Sequence, residues 1–160
     1  MTLLLLFFLL SITFSFLCSI WEAVLLSIPP AVVEIQYQEG KPLGKRLKEF
    51  KDNIDRPLGA ILTLNTIAHT AGAIGVGAQG IKIWGDSVMT AAVIPVAMTL
   101  AILILSEIIP KTLGANSWQK LIPFTVNSVR LVIIVLYPLV LVSQLITRWL
   151  NKNKDQSVFN

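Results

Sequence analysis

Residues 2–28 read TLLLLFFLLSITFSFLCSIWEAVLLSI, an apolar run in which Glu22 is the one charged side chain. A helix needs about 20 predominantly apolar residues to cross a hydrocarbon layer about 30 Å thick. The run is longer than the apolar part of a secretory signal peptide, which has about 7–15 residues, and no lysine or arginine precedes it. It therefore predicts a retained transmembrane helix, and the fold class it indicates is an all-α integral membrane protein.

The composition extends this interpretation to the rest of the chain. Of its 160 residues, 54% are hydrophobic and 14% are charged, whereas a soluble domain usually carries about 25% charged residues. Two further apolar segments, 58–81 and 88–109, are long enough to span, which makes three predicted transmembrane helices. The net charge of +4 comes from basic residues beside the apolar segments. Their position indicates contact with membrane lipids. Because no aromatic stacking platform accompanies them, we expect no nucleic-acid partner.

The segment 31–56 carries half of the charged residues of the chain and separates the first two predicted spans. The Pro29-Pro30 pair ends the first helix. Gly40 and Pro42 divide the charged segment, which predicts two short amphipathic helices joined by a turn. Cytoplasmic loops carry an excess of lysine and arginine. We therefore expect this helix-turn-helix and the C-terminus in the cytoplasm, the N-terminus outside, and the chain in the plasma (inner) membrane.

A fourth apolar segment, 122–150, allows two interpretations. It is long enough to span, but a span would leave the C-terminal lysines outside and would place Arg130 in lipid, which costs several kcal/mol. The alternative is a C-terminal amphipathic juxtamembrane helix over about 119–150, kinked at Pro138 and lying along the inner leaflet. We predict this second arrangement, followed by a tail or linker over 151–160.

Two acidic residues, Glu22 and Glu107, lie inside predicted spans, where a carboxylate is costly and indicates a functional site. Glu22 ends a polar stripe whose members lie within about 80° of one another on a helix of 3.6 residues per turn: Ser11, Ser15, Ser19 and Glu22. Such a stripe is either a helix-packing contact or the lining of a water-filled path. The small residues within 71–80 of the second span predict close packing against another helix.

Further polar residues lie in the second and third predicted spans. Asn65 and His69 are four residues apart and share one helix face. The single histidine is either a hydrogen-bonding residue or a ligand. Pro110 leaves the carbonyl oxygen of Ser106 without its helical hydrogen bond, directly before Glu107. Carboxylate, hydroxyl, amide and carbonyl oxygens together form a hard ligand set that suits Mg²⁺ or Ca²⁺.

Catalytic motifs are missing from the sequence. It contains no Ser-His-Asp arrangement, no metalloprotease helix motif, no phosphate loop and no thiol pair. The one histidine has no evident catalytic partner. We therefore expect that the protein is not an enzyme.

Three short motifs carry a resemblance to a known family. Residues 106–111, Ser-Glu-Ile-Ile-Pro-Lys, are close to its Gly-Glu-x-x-Pro-Lys signature. Residues 19–24, Ser-Ile-Trp-Glu-Ala-Val, are similar to its Ser-Gly-Ser-Glu-Thr-Ala pattern, and residues 64–69, Leu-Asn-Thr-Ile-Ala-His, to its Gly-Asn-Asn-Leu-x-Asn pattern. Together with the order of the segments, these motifs make residues 1–150 resemble the transmembrane domain of the CNNM/CorC family of magnesium transport proteins.

The resemblance implies a homodimer with three spans per subunit that exports Mg²⁺ in a process coupled to Na⁺. It also implies positions for the ion ligands, with a histidine in this chain where the family has an asparagine. The metal ligands predicted in this way are Ser19, Asn65, His69 and Glu107. The residues predicted to bind the coupling ion or to adjoin the ligands are Glu22, Ser15, Ser106 and Pro110.

Two departures from the family motifs leave a second function open. Trp21 stands where the family has a small residue, and His69 stands where it has asparagine; imidazole binds Mg²⁺ poorly and suits transition metals better. The alternative function is a membrane binding or regulatory module with a degenerate ion site that does not transport. The family usually carries cytoplasmic CBS domains, and we expect these as partners if the sequence is part of a longer protein.

Overall fold

The computed structural model describes the backbone of residues 1–158 and the side chains of residues 1–152. This part of the chain is 91% helical and contains no strand, as the fold class predicted. Its elements in chain order are α1 (Thr2–Ser27), α2 (Pro30–Gln38), α3 (Pro42–Asp52), α4 (Asp55–Trp84), α5 (Val88–Ala101), a π-helical segment (Ile102–Ile108), α6 (Ile109–Asn116), α7 (Trp118–Val135) and α8 (Tyr137–Val158).

Three single helical stretches are long and apolar enough to cross a membrane, in agreement with the predicted number of spans: Thr2–Ser27, Asp55–Trp84 and Val88–Asn116. A fourth span would require the bent pair of α7 and α8 to cross as one broken helix. The second begins before residue 58 because Pro57 lies in the first turn of α4, where its missing N–H is not needed. It ends at Gly85, whose φ is +84°. The third continues past residue 109 because the chain passes Pro110 through π-helical geometry and remains helical.

The central helix of the bundle is α1, which contacts α4, the π-helical segment, α6 and α7. Its close approach to α4 depends on two glycines of α4. A Cβ at Gly72 would overlap the side chain of Ser11, and a Cβ at Gly75 would overlap the ring of Phe7. The predicted close packing of the second span against α1 is therefore made by Gly72 and Gly75, whereas Gly80 packs against Ile94 of α5.

Gly72→Ala should destabilise the folded protein by about 1–3 kcal/mol, the usual cost of overpacking a tight contact. Gly77→Ala is the matched control, since it lies on the same helix with open space around its Cβ position. It should be neutral, or stabilising by up to about 1 kcal/mol, because alanine favours a helix more than glycine does. Thermal unfolding in detergent measures both variants. Equal melting temperatures would contradict the close contact between α1 and α4.

The charged segment forms α2 and α3, which pack against each other. Gly40, with φ of +74°, makes the turn between them, and Gly44 lets α3 lie against the backbone of Gln36. The Lys51 ammonium donates a hydrogen bond of 2.9 Å to the carbonyl oxygen of Leu25, in the last turn of α1, where carbonyls lack helical partners. Burial lowers the pKa of Lys51. The side of the membrane on which this pair lies stays a prediction.

The C-terminal segment differs from the single kinked helix predicted over 119–150. The chain leaves helical geometry at Leu136, and α7 and α8 meet there at an angle of 93°. The predicted kink at Pro138 is therefore a break. The reason is that this proline, in the first turn of α8, has no N–H with which to continue the hydrogen bonds of α7. Beyond the break, α8 packs against α4, with Ser143 beside Gly59.

The apolar core lies at the end of the bundle where α1 ends and α4 begins. Among its most completely buried members are Val24, Leu25, Leu47, Val126 and Val129. The spans are otherwise little covered: the most apolar part of the first and of the second span is 28% buried, and that of the third is 11% buried. These apolar surfaces therefore face lipid or another protein surface.

Candidate functional site

The polar stripe of α1 faces α4 and the third span. Ser11, Ser15 and Ser19 are buried. The Ser11 hydroxyl donates a hydrogen bond of 2.9 Å to the carbonyl oxygen of Ala68, and the Ser15 oxygen lies 2.5 Å from Nε2 of His69. The stripe therefore joins α1 to α4 by hydrogen bonds, and from Ser15 onwards it also contacts predicted site residues.

The third span adopts π-helical geometry where the sequence predicts a break. The N–H of Ile109 bonds to the carbonyl oxygen of Ile104, five residues back, and Pro110 has no N–H to donate. The carbonyl oxygen of Ser106 accepts a hydrogen bond of 2.5 Å from the Ser19 hydroxyl. Single π-helical turns occur frequently at functional sites. In this protein the turn brings the backbone of the third span onto α1.

Glu107, in the π-helical segment, connects the third span to α4. Its Oε1 accepts a hydrogen bond of 3.4 Å from Nδ2 of Asn65 and lies 3.7 Å from Nε2 of His69. Its Oε2 lies 2.9 Å from the ammonium of Lys111, one helical turn further along. The side chain is 22% exposed, so protein encloses most of it and leaves part of it accessible.

Lys111 joins Glu107 to Glu22, the acidic residue of α1. Its ammonium lies 3.5 Å from Oε2 of Glu22 on α1. Two carboxylates therefore share one ammonium, and their excess negative charge attracts a further cation. Sequence reasoning assigned no role to Lys111. The available signal was its spacing of four residues from Glu107, because such residues are neighbours on a helix.

The amide oxygen of Asn65 is buried and has no hydrogen-bond donor among the described side chains and backbone. Leaving a buried acceptor unsatisfied costs about 1–3 kcal/mol, and such groups in native proteins are usually satisfied by water or an ion. The nitrogen of the same amide is already bound to Glu107. The cluster therefore contains an unused hard oxygen donor next to a carboxylate.

The structure brings the four predicted metal residues into one region. Asn65 and His69 both contact Glu107, and Ser19 reaches the same turn through the backbone of Ser106. No group of three or more histidine, cysteine, aspartate or glutamate side chains in the described part of the chain is arranged to hold a metal ion. An ion in this region would therefore depend on one carboxylate together with neutral oxygens.

The other predicted residues adjoin this group. Ser15 contacts His69, and Glu22 is connected to Glu107 through the ammonium of Lys111. Pro110 is buried in the first turn of α6. In this conformation Nε2 of His69 is engaged by Ser15, which fits a hydrogen-bonding histidine. To bind a metal ion through Nε2, His69 would first have to leave this serine.

Trp21 does not crowd the cluster. It lies about 200° around α1 from Ser19, on the far side of the helix. The side chain is 5% exposed, and its ring packs against that of Phe124 on α7 with centroids 6.5 Å apart. This departure from the family motif therefore contributes to the packing between α1 and α7 and leaves the polar cluster open.

Two comparisons with known proteins place the chain among relatives. The sequence profile of a family described as the Cyclin M transmembrane N-terminal domain, CNNM, matches residues 4–160. The chain is also 34% identical over 131 residues to UPF0053 protein sll1254 of Synechocystis sp. (strain ATCC 27184 / PCC 6803 / Kazusa). That match covers 82% of this chain and 37% of the relative, so the chain spans little more than a third of that protein's length.

Proposed function

The chain belongs to the family of CNNM transmembrane domains, membrane proteins linked to divalent cation transport, and from this premise we propose that it carries Mg²⁺ across the membrane. The direction we propose is export, coupled to the entry of Na⁺. The observation that supports this most directly is the unpartnered amide oxygen of Asn65 beside the Glu107 carboxylate. Both are hard oxygen donors of the kind that Mg²⁺ prefers.

Two more oxygens meet at the same turn of the third span, the hydroxyl of Ser19 and the carbonyl of Ser106, which are hydrogen-bonded to each other. Mg²⁺ gives up its water reluctantly and is commonly held by one or two carboxylates while it keeps several waters. One carboxylate with several neutral oxygens therefore suits a cargo ion that must also be released. A site with more carboxylates would hold the ion more tightly and release it more slowly.

Lys111 supplies the positive charge of the cluster before the cargo arrives. Its ammonium contacts both carboxylates, and its side chain is 43% exposed. An entering cation competes with this ammonium for Glu107, and the long lysine side chain can move towards water. The exchange of one positive charge for another avoids leaving either carboxylate without a partner, which would be costly in a partly buried site.

The proposal is tested by Mg²⁺ flux into or out of proteoliposomes that contain the full chain and a Mg²⁺-sensitive dye. Flux above that of protein-free vesicles, increased by an opposing Na⁺ gradient and unaffected by a K⁺ gradient, is the expected result. Absence of flux under every gradient, with folded protein recovered from the vesicles, would contradict transport.

The second candidate function is the non-transporting binding or regulatory module. The observation that favours it is the engagement of His69 by Ser15 at a position where the family has asparagine. With a degenerate ion site, the protein should show neither flux nor thermal stabilisation at millimolar Mg²⁺. A functional site should show both, because a ligand at 100 times its Kd stabilises the folded state by about 2.7 kcal/mol.

For the orientation we propose an external N-terminus and a cytoplasmic C-terminus in the plasma (inner) membrane. The support is the excess of lysine and arginine in 31–56, between the first two spans. A glycosylation tag fused after Asn160 should remain unmodified, whereas the same tag before Met1 should be modified. Modification of the C-terminal tag would overturn this orientation.

For the assembly we propose a homodimer, with cytoplasmic CBS domains as partners in a longer protein. The support is the poorly covered third span, beside which a cavity of about 600 Å³ is lined by apolar residues that include Phe8, Val76 and Val93. Light scattering of the detergent-solubilised protein should give the mass of two chains. The mass of one chain at all concentrations would contradict the dimer.

A further inference from the structure

Three arginines from different elements line a cavity of about 420 Å³ at the end of the bundle where α4 begins. Arg46 lies on α3, Arg56 is the second residue of α4, and Arg130 lies on α7. Glu49 is the one carboxylate among the lining residues. Three guanidinium groups and one carboxylate make the cavity electropositive, and a cleft of one sign concentrates ions of the other.

Few protein groups accept hydrogen bonds from these guanidiniums or form salt bridges with them. Arg46 donates a hydrogen bond of 3.4 Å to the amide oxygen of Asn127. The salt bridges among the described side chains involve lysines and His69 but no arginine. Since each guanidinium carries five N–H donors, the cavity offers many hydrogen bonds to an anionic ligand.

The remaining residues that line the cavity are apolar. Phe50 and Ile133 are buried, while Ile134 is 62% exposed on the surface of α7. Arg56 follows the first residue of a membrane-spanning helix. The cavity therefore lies near the boundary between hydrocarbon and head groups, and its occupant must fit both cationic and apolar lining residues.

We propose that this cavity binds the phosphate group of an anionic phospholipid, with the acyl chains lying along the exposed apolar residues of α7. Arginine suits this role because its planar guanidinium pairs with two phosphate oxygens at once. Inorganic phosphate would bind the arginines but not the apolar residues, whereas a lipid binds both. The site also accounts for Arg130, whose charge would be costly in lipid and is neutralised here at the membrane boundary.

The test uses the full chain, delipidated in detergent, with tryptophan fluorescence to follow thermal unfolding. The probes are dioctanoyl phosphatidylglycerol, dioctanoyl phosphatidylcholine and inorganic phosphate. Saturable stabilisation by phosphatidylglycerol, well above that of the other two, is the expected result. Equal stabilisation by phosphatidylcholine would show that the negative charge is not recognised, and equal stabilisation by inorganic phosphate would show that the acyl chains are not. Either result overturns the proposal.

The arginines are tested by combining Arg56→Gln with Arg130→Gln. The half-saturating concentration of phosphatidylglycerol should rise about 30-fold when two basic groups near an anionic lipid are removed. Arg148→Gln is the matched control, because Arg148 is exposed on α8 and does not line the cavity. Its half-saturating concentration should equal that of the wild type. The same rise in both proteins would show that the effect depends only on net charge, and it would overturn the proposed site.

Glu49→Gln removes the one negative charge of the cavity lining and keeps all three arginines. Its effect on lipid binding should therefore be opposite to that of the arginine variant. Glu49 is exposed, so the variant should fold. Loss of the carboxylate should lower the half-saturating concentration of phosphatidylglycerol about fivefold. An unchanged or raised concentration in the folded variant would contradict the proposal, even if the double arginine variant does not fold. These outcomes do not depend on ion transport.

Discussion

Glu107→Gln should lower the Mg²⁺ flux of the reconstituted protein about 100-fold. Glutamine keeps the size of the side chain but removes the carboxylate that lies next to Asn65, His69 and Lys111. Interactions with a charged group are worth about 1.5–3 kcal/mol, and the upper part of that range corresponds to about 100-fold in an equilibrium constant. The measurement is the initial rate of dye-detected flux at a Mg²⁺ concentration below saturation.

Glu39→Gln is the matched control for this experiment. It makes the same chemical change at an exposed carboxylate, whose partner is Lys41 at 3.5 Å, and should retain the wild-type flux. The melting temperature of each variant separates loss of the site from loss of the fold. Wild-type flux in a folded Glu107→Gln protein would show that this carboxylate does not bind the transported ion.

Lys111→Gln should make the stability of the protein depend on Mg²⁺. Without the ammonium, the partly buried carboxylates of Glu22 and Glu107 lose their shared partner. The expected loss of stability without Mg²⁺ is about 1–3 kcal/mol. Added Mg²⁺ should restore the stability, and its half-saturating concentration should be about tenfold lower than in the wild type, because the ammonium no longer competes for Glu107.

Lys120→Gln is the control for this second change. It removes the same charge, and Lys120 is exposed near the start of α7. Neither the melting temperature nor its dependence on Mg²⁺ should change. If Lys111→Gln behaves like this control, the ammonium does not compete with the cargo. That result would leave the test of Glu107 unaffected.

The two variants also distinguish an ion site from a purely structural cluster. In an ion site, Glu107→Gln weakens the response of the melting temperature to Mg²⁺, and Lys111→Gln strengthens it. In a structural cluster, both variants lower the melting temperature and neither changes the response to Mg²⁺. The comparison therefore depends on the sign of a change rather than on its size.

The three spans could be predicted from the sequence because membrane insertion depends on local composition. Each span must carry its own continuous apolar run. The segments 2–28, 58–81 and 88–109 could therefore be recognised without knowledge of their neighbours. Hydropathy did not predict their ends, because Pro57 and Pro110 are tolerated within helices for local reasons that it does not reveal.

The region of the candidate site was also predictable, because a polar side chain in lipid is costly wherever it points. Glu22, Asn65, His69 and Glu107 are conspicuous in the sequence for this reason. Pro110 indicated a break in helical bonding beside Ser106. These features follow from single residues and their nearest neighbours in the chain.

Other features depend on how the helices rotate and pack, which residues far apart in the sequence decide together. The bridge from Lys111 to Glu22 exists because α6 lies beside α1, and Trp21 faces Phe124 because α7 covers the other side of α1. The arginine cavity arises in the same way, because its arginines come from α3, α4 and α7. The apolar run with one carboxylate, 2–28, was therefore enough to predict a membrane helix with a polar stripe. Which groups that stripe contacts was set by the packing of α4, α6 and α7 around it.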